Sequence, residues 1–325
     1  MPALFTVPGD ALAGVAATGA RPTSRTLLAI GSSLCLYEAG MALNDWADHA
    51  EDAAERPHRP LPSGRIRPAA ALTAAGVLTA AGLALAARAG RPALTVAAPL
   101  AATVWAYDLG LKRTPAGPVA MAAARALDLL LGAAATTGRP RAALPSAALL
   151  GTHTLAVTTV SRNETQGGAP LVPLTALATT ALLTHLTTRP PAGPGVAATR
   201  GLPGTTTGRT VPLGALASGA STGPTGPLGA LASTGPTGSP RALPPGTTLR
   251  TALALLYAAT AARPYFHAAL NPSPPLTQRA VGGGIRATVP LQAALCARSG
   301  APVTALAIAA LGPLAARFAK KVSVT

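Results

Sequence analysis

Apolar segments long enough to cross a lipid bilayer recur along most of this 325-residue chain, and no other feature narrows its fold as much. A bilayer core of about 30 Å needs about 17–25 residues of helix. The segments lie at roughly 3–20, 26–43, 69–87, 92–107, 117–137, 143–160, 169–188, 250–266, 283–297 and 301–318. Several are short or alanine-rich, and 283–297 is the weakest. The expectation is an all-α, polytopic membrane bundle of about nine transmembrane helices. The opening MPALFTVPGDALAGVAATGA has the look of a signal peptide, but it lacks a basic start and Asp10 interrupts it. It reads as a first membrane helix. Charged residues are 11 % of the chain, against about 25 % in a typical soluble domain. Aromatics are 3 %, so a soluble core would have to be built mainly from Ala, Leu and Val.

The net charge of +16 does not mark a nucleic-acid partner. The arginines stand in ones and twos between apolar runs, as in ARAGRP and TGRPRA, and are not interleaved with aromatics that could stack on bases. Cations placed so flank membrane segments and snorkel toward headgroups, which makes the lipid bilayer the partner. Cys35 and Cys296 both sit in apolar stretches and read as buried thiols. The interval 189–249 is rich in Gly, Pro, Thr and Ser and repeats PLGALAS and STGPTG. It reads as a low-complexity, disordered insertion in a single domain spanning 1–325, without chemistry of its own.

Lysine and arginine split evenly between the two sets of loops and give no orientation. The acids do not. Five of the chain's 10 acids, Asp45, Asp48, Glu51, Asp52 and Glu55, crowd into the loop after the second span, Asp108 follows the fourth and Glu164 the sixth. All fall on one side of the membrane, which marks that face as a site.

Asp45, Asp48 and Asp52 are spaced i, i+3, i+7. If the second span continues as helix they share a stripe with Asn44. Carboxylates this close to lipid repel one another and call for a cation. Oxygen donors of this kind suit Mg2+, which takes one or two carboxylates, waters and substrate phosphates. The plainer reading is a solvated helix end, with Asp52 paired to Arg56. The basic run downstream favours the metal site: RPHRPLPSG carries Arg56 and Arg59 on a proline-stiffened, extended backbone, and acids for a metal followed by arginines for a polyanion suit a diphosphate. Lys112 and Arg113, in YDLGLKRTPAGP, offer further phosphate partners. In SRNETQGG, Glu164 is a candidate ligand of a second metal and Gly167–Gly168 permit a tight turn. Intramembrane Arg125 and Asp128 must face a polar cavity or pair; function and pairing weigh equally there.

At these residues the chain resembles the UbiA family of intramembrane prenyltransferases. Asn44, Asp48 and Asp52 match its first signature, N-x-x-x-D-x-x-x-D, and Arg56, Pro60, Pro62 and Gly64 fit the continuation. YDLGLKRT is similar to its Tyr-and-Lys-Arg element, and RALDLLLG to the segment after it. The resemblance implies a helical bundle around a lipid-facing cavity in the cell membrane, with the site on the cytoplasmic side. Mg2+ would bridge the carboxylates to a polyprenyl diphosphate, and an unidentified acceptor would take the prenyl group. It implies Asn44, Asp48 and Asp52 as first-site metal ligands, with Glu164 at the second, and Asp48, Asp52 and Lys112 in catalysis. Arg56, Arg59, Tyr107, Arg113, Arg125 and Arg162 would contact substrate. The family's second motif carries two Asp four apart; here Glu164 matches the second, and the first falls at Val160 or Ser161, neither a good ligand. That departure motivates an alternative, a non-catalytic relative that binds or carries a phosphorylated isoprenoid lipid. The variant SRNExxGG resembles the EboC-type branch.

Overall fold

The computed structural model describes residues 3–164, 169–189 and 245–322, and among them every regular element is helical. α1 (Ala3–Ala17), α2 (Ser24–Ala47), the short α3 (His49–Glu55), α4 (Pro68–Ala89), α5 (Arg91–Leu109), α6 (Gly117–Thr137), α7 (Leu144–Ser161) and α8 (Leu171–Thr188) follow one another with brief connections. α9 (Pro245–Leu270), α10 (Pro274–Arg298) and α11 (Pro302–Val322) complete the bundle. Among the described residues, five helical segments are long and apolar enough to cross a membrane, those at 24–47, 68–89, 117–137, 140–161 and 171–188, and α1 and α11 carry shorter apolar stretches. The low-complexity insertion expected over 189–249 lies outside the described residues except at its ends, Arg189 and 245–249; the latter open α9 rather than loop.

The weakest expected segment, 283–297, is the inner part of a 25-residue helix that begins nine residues earlier. Polar Gln278 and Arg279 disguise its first turns as loop. It is nonetheless the most enclosed helix, packing against α9, α11, α1 and α7, and its residues 287–296 are all buried. Imidazole His153 on α7 ties into this region, one ring nitrogen 3.1 Å from the Gly284 carbonyl and the other 3.2 Å from the Tyr257 hydroxyl. Cys296 is buried as expected, whereas Cys35 is only half-buried.

Two alanine-rich cores hold the bundle. One joins α1, α6, α7, α8, α9, α10 and α11 around Leu129, Leu150, Tyr257 and Leu295; the other joins α2, α4, α5 and α6 around Leu36, Ala97, Leu100 and Leu131. In lipid the hydrophobic effect does little to drive helices together, so close backbone approach matters more. The α1–α6 crossing shows this: a Cβ at Gly14 would strike the Leu129 carbonyl, and one at Gly132 would strike the Ala11 backbone. Both obstacles are main chain and cannot rotate aside. Gly132→Ala is therefore expected to push α1 from α6 and destabilise the protein by about 1–3 kcal/mol, read as a lowered unfolding midpoint in detergent, whereas Gly76→Ala, whose Cβ would meet nothing, leaves the midpoint unchanged.

Candidate functional site

The ends of α2, α5 and α7 meet at one face. α2 stops at Ala47, Asp48 takes φ −95° and ψ 5°, and α3 resumes the turn. Hydrogen bonding runs through the break: the Asp48 N–H donates to the Asn44 carbonyl at 2.9 Å and the Asp52 N–H to the Asp48 carbonyl at 2.8 Å. The kink divides the expected acidic stripe into two groups with different partners. Lys112, on the 3-10 turn Leu111–Arg113 after α5, places Nζ 2.7 Å from Asp48 Oδ1 and 3.1 Å from Asn44 Oδ1. Arg113 reaches Asp48 Oδ1 and Glu51 Oε2, each at 3.1 Å. Asp52 instead faces Arg59 Nη1 at 2.6 Å and Arg56 at 3.7 Å, and Asp45 lies 3.8 Å from Arg59. The i, i+4 repulsion between Asp48 and Asp52 is thus relieved by four cations drawn from two loops.

The Pro-braced run is not extended. It coils through successive turns, with Ser63 N–H on the Arg59 carbonyl at 2.9 Å and Ile66 N–H on the Pro60 carbonyl at 3.1 Å, because proline also favours the second position of a tight turn. Arg65 fastens the coil by donating to the His58 carbonyl at 2.7 Å.

The segment after α7 joins the same face: the Arg162 guanidinium donates to the Thr114 carbonyl. Arg162 therefore braces the turn that carries Lys112 and Arg113. Glu164 follows in a turn closed by its N–H on the Ser161 carbonyl at 3.1 Å, and burial pushes its carboxyl above the ordinary glutamate range. Val160 is fully buried and the Ser161 hydroxyl donates to the Thr158 carbonyl at 2.9 Å, so neither supplies the missing oxygen ligand. Gly167 and Gly168 lie outside the described residues.

Below the polar face opens a cavity of about 400 Å3. Its mouth is formed by Asn44, Tyr107 and Asp108, its walls by apolar side chains such as Leu36, Met41, Leu100, Val104 and Met121, and its inner end by Ser33, Arg125 and Asp128. Asn44 and Ser33 are eleven residues apart on α2, about 16 Å at 1.5 Å per residue. The inner end is a buried polar network. Arg125 lies 2.9 Å from Asp10, the Ser33 hydroxyl donates to Asp128, and the Gln292 amide donates to Asp10 at 2.6 Å and to the Thr6 carbonyl at 2.8 Å. Arg125 and Asp128 thus both pair and line a cavity. Sequence reasoning missed Asp108 as a site residue; its only signal was its place next to Tyr107 on the acidic side.

Asn44 Oδ1 and Asp48 Oδ1 converge on one cation, the Lys112 ammonium, so these two oxygens fit a hard metal ion. Asp52 faces the other way, and among the described residues no three acidic, histidine or cysteine side chains are grouped as a metal site.

The profile of the UbiA prenyltransferase family matches residues 3–203. The chain belongs to this family. Among curated proteins it is similar to digeranylgeranylglyceryl phosphate synthase of Methanopyrus kandleri, 33 % identical over 115 residues, which are 35 % of this chain and 41 % of the relative. The enzyme of that name from Methanothrix thermoacetophila is 34 % identical over 112 residues, 34 % of this chain and 42 % of the relative. The chain thus matches less than half the length of these relatives. Two solved structures share the fold. One, concerned with digeranylgeranylglyceryl phosphate synthase in membranes, aligns over 91 % of this chain and 93 % of its own with a TM-score of 0.54 at 14 % identity. The other, a ligand-free UbiA homologue from Aeropyrum pernix K1, covers 87 % of this chain and 96 % of its own with a TM-score of 0.53 at 17 % identity. The expected all-α, multi-pass UbiA bundle is borne out.

Proposed function

We propose that this protein is an intramembrane, Mg2+-dependent prenyltransferase that moves a prenyl group from a polyprenyl diphosphate to an acceptor not yet identified. The observation that carries the proposal is the junction at Asn44: oxygens of Asn44 and Asp48 together with Lys112 and Arg113 stand at the mouth of an apolar cavity about 16 Å deep by helix rise. A charged head and a greasy tail are the two parts of a prenyl diphosphate, and the site offers each its solvent. Asn44 and Asp48 would hold the metal, joined by Asp52 once Arg59 turns to the substrate, with Glu164 as the candidate for a second ion. Bound there, Mg2+ supplies Lewis-acid neutralisation of the departing diphosphate. Lys112, Arg113, Arg56 and Arg59 exchange their carboxylate partners for phosphate oxygens, contacts that strengthen as charge develops on the leaving group. Tyr107 and the apolar walls orient the chain and exclude water, Arg125 closes the far end, and Arg162 positions the 111–116 turn.

The family resemblance supports a site on the cytoplasmic side of the cell membrane, and SRNE at 161–164 supports placement in the EboC-type branch. The names of the relatives make geranylgeranyl diphosphate, with a glyceryl phosphate carrying one geranylgeranyl chain, the first donor and acceptor to assay. Purified protein in lipid nanodiscs is expected to release diphosphate from the labelled donor only with Mg2+ present and to form a doubly prenylated product. Buried Val160 at the second motif favours the other reading, a binding protein without catalysis. Tight, Mg2+-dependent donor binding with no turnover on any acceptor would establish that reading instead.

A further inference from the structure

Asp108 has an unusual position for an acid. It sits in the last turn of α5 with only 6 % of its surface exposed, yet it lines the cavity. Among the described residues no hydrogen bond or ion pair reaches its carboxylate; Lys112 and Asp48 act on it only through space. Its oxygens open on the cavity and not on a protein partner, so the carboxylate is free to meet a ligand there. Its depth is informative. Oδ2 lies 3.7 Å from where a Cβ on Gly40 would stand, and Gly40 is four residues, about 6 Å of helix rise, below Asn44. A donor whose diphosphate was gripped by Lys112 and Arg113 would carry its first carbon on the cavity side of those cations, toward the level of Gly40 and Asp108. Glycine at 40 keeps that level open, since a side chain there would press on Val104 Cγ1 at 2.9 Å.

Building on the prenyltransferase reading, with the glyceryl phosphate acceptor that the relatives' names suggest, we propose that Asp108 is the general base of the transfer and takes the proton of that acceptor's hydroxyl group. The acceptor oxygen forms a bond to the first carbon of the prenyl chain. The bond from that carbon to the diphosphate oxygen breaks, and its electron pair leaves with diphosphate. The hydroxyl proton passes to an Asp108 carboxylate oxygen, and no other reactant is needed. Ionisation of the donor belongs to Asn44, Asp48 and Lys112; capture of the acceptor belongs to Asp108.

This division is testable with geranylgeranyl diphosphate and the singly geranylgeranylated glyceryl phosphate. In Asp108→Asn, diphosphate release is expected to persist, with the chain recovered as prenyl alcohol through capture by water, while transfer to the acceptor falls by about 10²-fold or more. Asp108→Glu, which returns a base on a longer arm, should recover part of the transfer. Loss of diphosphate release together with transfer in both variants would overturn the assignment and place Asp108 in ionisation or in folding. Undiminished transfer in Asp108→Asn would overturn it as well. Transfer to a carbon or nitrogen acceptor but to no hydroxyl would overturn this inference alone, whereas wild-type protein that binds the donor and prenylates no acceptor of any class would remove the base and the prenyltransferase reading together.

Discussion

Replacement of Asp48 by alanine is expected to lower diphosphate release from a prenyl diphosphate by about 10²–10³-fold, the loss expected on removal of one preorganised group facing developing charge. Asp48 is the common point of the site, where the carboxylate touches both Lys112 and Arg113 and shares the Lys112 ammonium with Asn44. Its loss removes an oxygen from the metal position and releases two phosphate-binding cations at once. Asp45→Ala is the control: Asp45 stands near Asp48 in sequence but, among the described residues, pairs only with Arg59, at 3.8 Å, an outlying and exposed pair worth little, so its turnover stays near wild type. Release rates across a Mg2+ titration separate the two variants: added metal leaves Asp48→Ala well below wild type, and Asp45→Ala follows the wild-type curve.

The second large effect is on stability. Arg125→Met is expected to destabilise the bundle by about 3–5 kcal/mol, because it leaves buried carboxylates without their cation. Asp10 is fully buried, and Arg125, whose Nη1 lies 2.9 Å from Asp10 Oδ2, is its only counter-charge among the described ion pairs. Adding Asp10→Leu to Arg125→Met should recover much of the loss, since removing both members of a buried pair is far milder than removing one. Unfolding midpoints of the two single variants and the double variant in detergent give the coupling directly. Additive losses would mean that the two side chains act independently.

The membrane class was legible because bilayer thickness imposes a length on every span, and the expected ends of most helices fall within a few residues of those observed. The exception, α10, carries Thr277, Gln278 and Arg279 in its first turns, and the bundle interior rather than hydropathy makes that stretch helical. The acidic face was legible because carboxylates are rare in a lipid-adapted chain and their confinement to alternate loops carries information. The kink at Asp48 was not, because nothing local breaks the helix there; Lys112 and Arg59, which pull Asp48 and Asp52 to different sides, come from a distant loop and from a coil seven residues on. Arg125 gave the same ambiguity for the same reason: its partner, Asp10, is 115 positions away. Asp108 was counted as one more acid on the face because burial and absence of partners are properties of packing, invisible in the string YDLGLKRT.

The central claim is that Asn44 and Asp48, with Lys112 and Arg113, receive the diphosphate of a prenyl donor through a divalent cation. Calorimetric titration of geranylgeranyl diphosphate into the protein in nanodiscs tests it most directly. The account predicts saturable binding that requires Mg2+, disappears on addition of a chelator, and weakens at least about tenfold, roughly 1.4 kcal/mol, in Asn44→Ala and Asp48→Ala. Binding of equal strength without metal, or untouched by both substitutions, would contradict it.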